Sequence, residues 1–159
     1  MAVSDVQEVL PRGGWLGSMP RDARRKLLTL ARRESYDSGA EVAREGEPAT
    51  RLGIVLSGRL ALQLYVPERG RVTLETAEPG DVVGLSSVVP PYRSTMSAVA
   101  EVPVELLAVD ADTLRRAVAE DCELGASIYS AVARALSRRL EATYNMLLDL
   151  FAGPQASPF

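Results

Sequence analysis

PGDVVGLSSVVPPYRST, residues 79–95, sets a glycine turn, the hydroxyl pair Ser86-Ser87, the proline pair Pro90-Pro91 and an arginine in one short stretch. Those residue types suit an anion-binding loop. Gly80 and Gly84 permit close backbone approach, and Ser86 and Ser87 can open a helical turn whose free N–H groups attract a phosphate. Arg93 can add a bidentate charge. The competing reading is an ordinary connection, because Gly, Pro and Ser cluster wherever the chain turns between apolar runs.

The flanks give the loop a setting. From about Glu34 to Asp110, short β-rich runs such as RLGIVLSGRLALQLYV, RVTLETA and VELLAV alternate with Gly39, Gly46, Gly58, Gly70, Gly80 and Gly84. Turn signals at such short intervals predict an antiparallel barrel or jelly roll over residues 34–110. Leu56-Ser57-Gly58-Arg59 reads as a tight connection and Pro67-Glu68-Arg69-Gly70 as a hairpin tip.

Helices flank the barrel. With Ser18 as N-cap and Pro20 just inside, residues 19–33 set Ala23, Leu27, Leu30 and Ala31 on one face of a short helix. Its other face carries Arg21, Arg24, Arg25, Lys26, Arg32 and Arg33, either a solvated face or a surface for a protein partner. Asp110 caps a helix from Ala111, and Asp121 or Glu123 starts a longer one running to Phe151. Along it Leu136, Leu140, Thr143, Leu147 and Leu150 follow a heptad spacing, which Ile128 and Val132 extend upstream. The stripe packs either on the barrel or on a second copy. Its length favours a homodimer, since a small barrel covers only part of it. Residues 1–15 read as an N-terminal arm, 16–152 as a single domain, and 153–159 as a disordered tail.

Composition narrows the chemistry. The 159 residues hold no histidine and a single cysteine, with 18 basic against 21 acidic side chains and a net charge of −3. A histidine triad, a histidine-ligated metal and an internal disulfide framework are therefore excluded. The acidic residues form no recognisable catalytic pair or metal motif, so we expect no enzyme activity and no metal. The acidic balance offers no global attraction to nucleic acid or membrane. Without a signal peptide or an apolar run of spanning length, the chain reads as cytoplasmic.

The order helix, glycine-punctuated barrel, long terminal helix resembles the cyclic nucleotide-binding domain of bacterial catabolite-activator-like regulators, kinase regulatory subunits and nucleotide-gated channels. The segment SYDSGAEVAREGEPATRLGIVLSGRLAL, with Gly39, Glu45-Gly46 and Ser57-Gly58 at its turns, is similar to the family's opening strands. Pro79-Gly80-Asp81 leads into what looks like the phosphate cassette, and Ala98-Val99-Ala100 with VPVELLAVD resembles the strands that leave it. The resemblance implies a ligand site at Gly84, Leu85, Ser86, Ser87, Arg93, Ser94 and Thr95, with Thr143 and Tyr144 approaching a nucleotide base. It also implies cyclic AMP or cyclic GMP as ligand.

Two positions depart from the family pattern. Leu85 stands where nucleotide-binding members carry the glutamate that accepts the ribose 2′-hydroxyl, and an unpartnered buried hydroxyl costs about 1–3 kcal/mol. Counting back from Ala100 sets Ser94 in the cassette arginine's slot and Thr95 in the hydroxyl slot, with Arg93 one residue early. A shortened loop brings Arg93 into the pocket; a strand there turns it to the other face. The likeness is to short members without a helix-turn-helix, so no direct DNA binding is expected. Two functions follow: a dimeric sensor of a small anionic or nucleotide-like ligand, or a ligand-free domain that binds another protein.

Overall fold

The computed structural model describes residues 13–153. Of the arm expected at 1–15 and the tail at 153–159, all but Gly13–Trp15 and Gly153 lie outside the described residues. After a 3-10 turn at Trp15–Ser18 the elements are α1 (Arg21–Thr29), β1 (Arg32–Tyr36), β2 (Glu41–Ala43), β3 (Arg51–Ser57), β4 (Leu60–Val66), β5 (Gly70–Ala77) and β6 (Val82–Val83). A second 3-10 turn, Leu85–Ser87, precedes β7 (Ser97–Ala100), β8 (Val104–Asp110), α2 (Ala111–Glu120) and α3 (Cys122–Ala152). Two antiparallel four-stranded sheets, ordered β1-β8-β3-β6 and β2-β7-β4-β5, form the expected jelly roll.

The first sheet is covered on both faces. Val55, Val104 and Leu106 join Val42, Leu60, Leu62 and Ala98 between the sheets. Leu52, Ile54, Leu56, Leu107 and Val109 turn outward onto Trp15, Leu27, Leu114, Leu124 and Ile128 of the helical layer. This double burial is why Leu52–Leu56 of β3 and Leu106–Val109 of β8 carry no polar side chain. The indole N–H of Trp15 donates to the Ala131 carbonyl at 3.1 Å, tying the first turn to α3.

The helix expected over 19–33 is shorter, Arg21–Thr29. Ser18 does not cap it; its hydroxyl donates to the Trp15 carbonyl. The C-terminal end yields because Arg32–Tyr36 pairs with β8 in the register Arg32↔Ala108, so those backbone groups serve the sheet. Four of the basic side chains face acids: Arg25 with Asp22, Lys26 with Asp121, Arg32 with Glu34 and Arg33 with Glu105.

Ile128 and Val132, expected in a dimer seam, are 0% and 3% exposed within this single chain. The barrel's helical layer covers the upstream half of α3, and only from Leu136 onward does the apolar stripe emerge.

Both C-terminal helices are capped as the sequence predicts. Asp110 accepts from the Thr113 N–H at 3.0 Å and Asp121 from the Leu124 N–H at 3.1 Å. The Thr113 backbone N–H holds the Asp110 carboxyl below its ordinary 3.8. For Asp121 the Lys26 ammonium is the larger cause and the Leu124 N–H the second. A lowered folded value means stability present above the unfolded value and lost as pH falls through the folded one, so the loss begins below about pH 4. Asp110→Ala is expected to cost about 1 kcal/mol in urea unfolding at pH 7. The difference from the unsubstituted protein should shrink as pH falls below 4.

Candidate functional site

Gly84 adopts a left-handed conformation, φ 76° and ψ 32°, that reverses the chain out of β6 into the Leu85–Ser87 turn. A Cβ there would sit 2.1 Å from the Arg51 carbonyl oxygen, so only glycine lets the turn lie against β3. The Ser87 N–H closes the turn onto Gly84 O at 3.0 Å, and Val88 N–H follows onto Leu85 O at 3.2 Å. The leading amides, Leu85 and Ser86, have no acceptor inside a turn of i→i+3 geometry.

Beside this turn lies a cavity of about 220 Å³. Gly84, Leu85 and Ser86 form one part of its lining, Ser94, Thr95 and Met96 another, and the segment from Val42 to Arg51 a third. Leu136 and Arg139 of α3 complete it. Leu85 is 4% exposed and borders the cavity without closing it.

Of the residues expected at the site, Gly84, Leu85, Ser86, Ser94 and Thr95 come together. Ser87 does not reach the cavity: it is fully buried and its hydroxyl has no hydrogen-bond partner among the described residues. Arg93 is turned away. Its backbone bridges Pro48 and its guanidinium donates to the Gly46 carbonyl at 2.9 Å, leaving Ser94 as the cassette residue that faces the space. Thr143 and Tyr144 lie beyond the cavity on exposed helix; the Thr143 hydroxyl donates to its own helix at Arg139 O.

The positive charge comes from residues the sequence reading passed over: Arg44, Arg51 and Arg139. Arg51 is fixed by Glu34, whose Oε2 lies 3.0 Å from Nε, and by the Val42 carbonyl, 2.9 Å from Nη1. The Tyr36 hydroxyl donates to the same Glu34 oxygen at 2.6 Å; burial, then this bond, pushes the phenol up to about 12. Arg139 donates through Nη2 to Val82 O at 2.7 Å and faces Glu75 at 3.5 Å through Nε. Arg139 stands three residues past Leu136, where periodicity alone assigns it to a helix flank.

The loop is also tied to α2. Arg115 donates to the Ser87 carbonyl at 2.7 Å, pairs with Asp112 at 2.7 Å, and holds its guanidinium 4.6 Å above the Tyr92 ring. A cationic side chain on an aromatic face contributes roughly 0.5–2 kcal/mol. The turn, the proline loop and the helix that precedes α3 are therefore joined through one side chain.

The fold recurs in known proteins. The chain is 30% identical over 145 residues to the CRP-like cAMP-activated global transcriptional regulator of Mycobacterium tuberculosis, an alignment covering 91% of this chain and 63% of that protein. It therefore spans less than two thirds of that curated relative. A cyclic nucleotide-binding domain from Methylobacillus flagellatus superposes with a TM-score of 0.79 at 19% identity, over 96% of this chain and 87% of that one. The catabolite activator protein of Thermus thermophilus gives 0.69 at 24% identity, over 87% of this chain and 62% of that one. The cyclic nucleotide-binding domain description matches residues 33–121, from the first strand through the turn to the cap of α3, and the chain belongs to that family.

Proposed function

We propose that this domain is a regulatory ligand sensor: a small anionic or nucleotide-like molecule enters the cavity beside Gly84–Ser86 and Ser94–Thr95, and α3 carries the response. The observation behind this reading is the shared wall, since the turn and the long helix border one space. A ligand touching both favours whichever helix position gives it better contacts, and that differential affinity is the signal. The exposed stripe Leu136, Leu140, Thr143, Leu147 and Leu150 then forms the seam of a homodimer, so a shift of α3 is felt by the second copy.

Cyclic AMP and cyclic GMP are the first probes, given the family and the likeness to a cAMP-activated regulator. At a concentration 100-fold above its Kd, a ligand that binds only the folded chain stabilises by about 2.7 kcal/mol, a Tm rise of roughly 5–10 °C. Titration calorimetry and thermal melting with both nucleotides test it. A saturable rise supports the nucleotide form of the reading; a flat response at millimolar concentration removes it.

The ligand-free reading draws on Leu85, which is buried in the core cluster, and on Arg93, which is engaged with Gly46. There α3 and the surface act by binding another protein. The open cavity favours the sensor.

A further inference from the structure

The cavity's lining is lopsided. Leu62, Val83, Leu85, Met96 and Leu136 give it a broad apolar wall. Its charged members are Arg44, Arg51, Arg139 and a single carboxylate, Glu47, which lies 3.7 Å from Arg44. The ribose 2′-hydroxyl of a cyclic nucleotide needs a buried acceptor, and Leu85 offers none at the family's position for it. Thr143 and Tyr144, which the resemblance set against a nucleotide base, stand outside the cavity, and the hydroxyls of its lining, Thr50, Ser86, Ser94 and Thr95, belong to the barrel and its loops. At about 220 Å³ the space also falls below the roughly 300–1,000 Å³ typical of pockets for drug-sized ligands.

The lining does supply an anion partner. A guanidinium carries five N–H donors. The bonds of Arg139 to Val82 and Glu75 use Nη2 and Nε, and those of Arg51 use Nη1 and Nε. Nη1 of Arg139 and Nη2 of Arg51 take part in none of them. With Arg93 facing Gly46 and Ser94 in its slot, the cations that line the cavity stand on α3, on β3 and just after β2, not in the cassette loop.

We infer that the cavity selects a small organic carboxylate with an apolar body, whose charge pairs with Arg139 while its hydrocarbon part packs on Leu85, Met96 and Leu136. This rests on the sensor reading and names its ligand class. Binding then acts on α3 directly, because the anion's partner is a residue of that helix.

The test is titration calorimetry with thermal melting on the whole chain, using 2-naphthoate, octanoate, uncharged 2-naphthol and cyclic AMP as probes. The expected result is saturable binding of a carboxylate, tighter than cyclic AMP and tighter than 2-naphthol. Arg139→Gln should weaken the carboxylate by tenfold or more, within the range for hydrogen bonds to a charged group. Arg139→Lys, which keeps the charge, should restore part of that loss and guards against a variant that merely folds poorly. Cyclic AMP binding more tightly than either carboxylate overturns the ligand class and leaves the sensor reading standing. Carboxylate binding that matches 2-naphthol, or that survives Arg139→Gln, overturns the charge assignment. Failure of every probe at millimolar concentration overturns both this inference and the sensor reading.

Discussion

Gly84→Ala is expected to destabilise the domain by about 3 kcal/mol or more, lowering Tm by roughly 6–12 °C. Left-handed backbone at a residue with a side chain costs on the order of 1–3 kcal/mol. Here the new methyl also meets the Arg51 carbonyl oxygen at 2.1 Å. That oxygen belongs to β3, a strand hydrogen-bonded to both β8 and β6, so it cannot retreat cheaply. Any relaxation must move the Leu85–Ser87 turn, which borders the cavity, and ligand binding should fall along with stability. Urea unfolding and thermal melting measure the first effect; a substitution without cost would contradict the conformation of the turn.

The second large effect separates the two halves of α3. Ile128→Ala removes a side chain with no exposure from the layer between α3 and the first sheet, and should cost about 2–5 kcal/mol. It should leave the association state alone. Leu140→Asp with Leu147→Asp touches side chains that are 50% and 44% exposed in the single chain, so intrachain core packing is spared. On the homodimer reading the pair of carboxylates is buried across the seam without partners, and the dimer should dissociate. Sedimentation equilibrium and urea unfolding of both variants check the contrast. A dimer that survives the double substitution would show that the seam lies elsewhere.

The fold was legible because its signals were local and repeated. Glycine turns separated short strands, Asp110 and Asp121 stood one residue ahead of helical runs, and β3 and β8 carried apolar residues at every position that a doubly covered sheet requires. The errors arose where a neighbour in space took over a segment. Residues 30–33 favour helix by their own spacing, yet β8 claims Arg32 and Arg33 for the sheet. Ile128 and Val132 continue the period of Leu136 and Leu140, but the core claims them first. Periodicity reports an apolar face and is silent about what covers it.

The site was legible in part for a related reason. Gly84, Leu85 and Ser86 are consecutive, and their proximity to one another is guaranteed by the chain. Ser94 and Thr95, which the resemblance set in the cassette's arginine and hydroxyl slots, are also consecutive; both border the cavity from the irregular stretch between the Pro48–Arg93 bridge and β7. Arg51 and Arg139 come from a strand start and a helix flank far off in sequence, and only the packing of α3 against the barrel brings them to one cavity. Nothing in their local sequence distinguishes them from solvated arginines.

Central to the account is an open cavity that borders both the Gly84 turn and α3, and a crystal structure of the protein purified without added ligand tests it most directly. The account predicts a space bounded by Leu85, Met96, Leu136 and Arg139, with density for a small bound anion against the Arg139 guanidinium. Leu85 and Leu136 meeting across a closed pocket, with Arg139 directed into solvent, would contradict it.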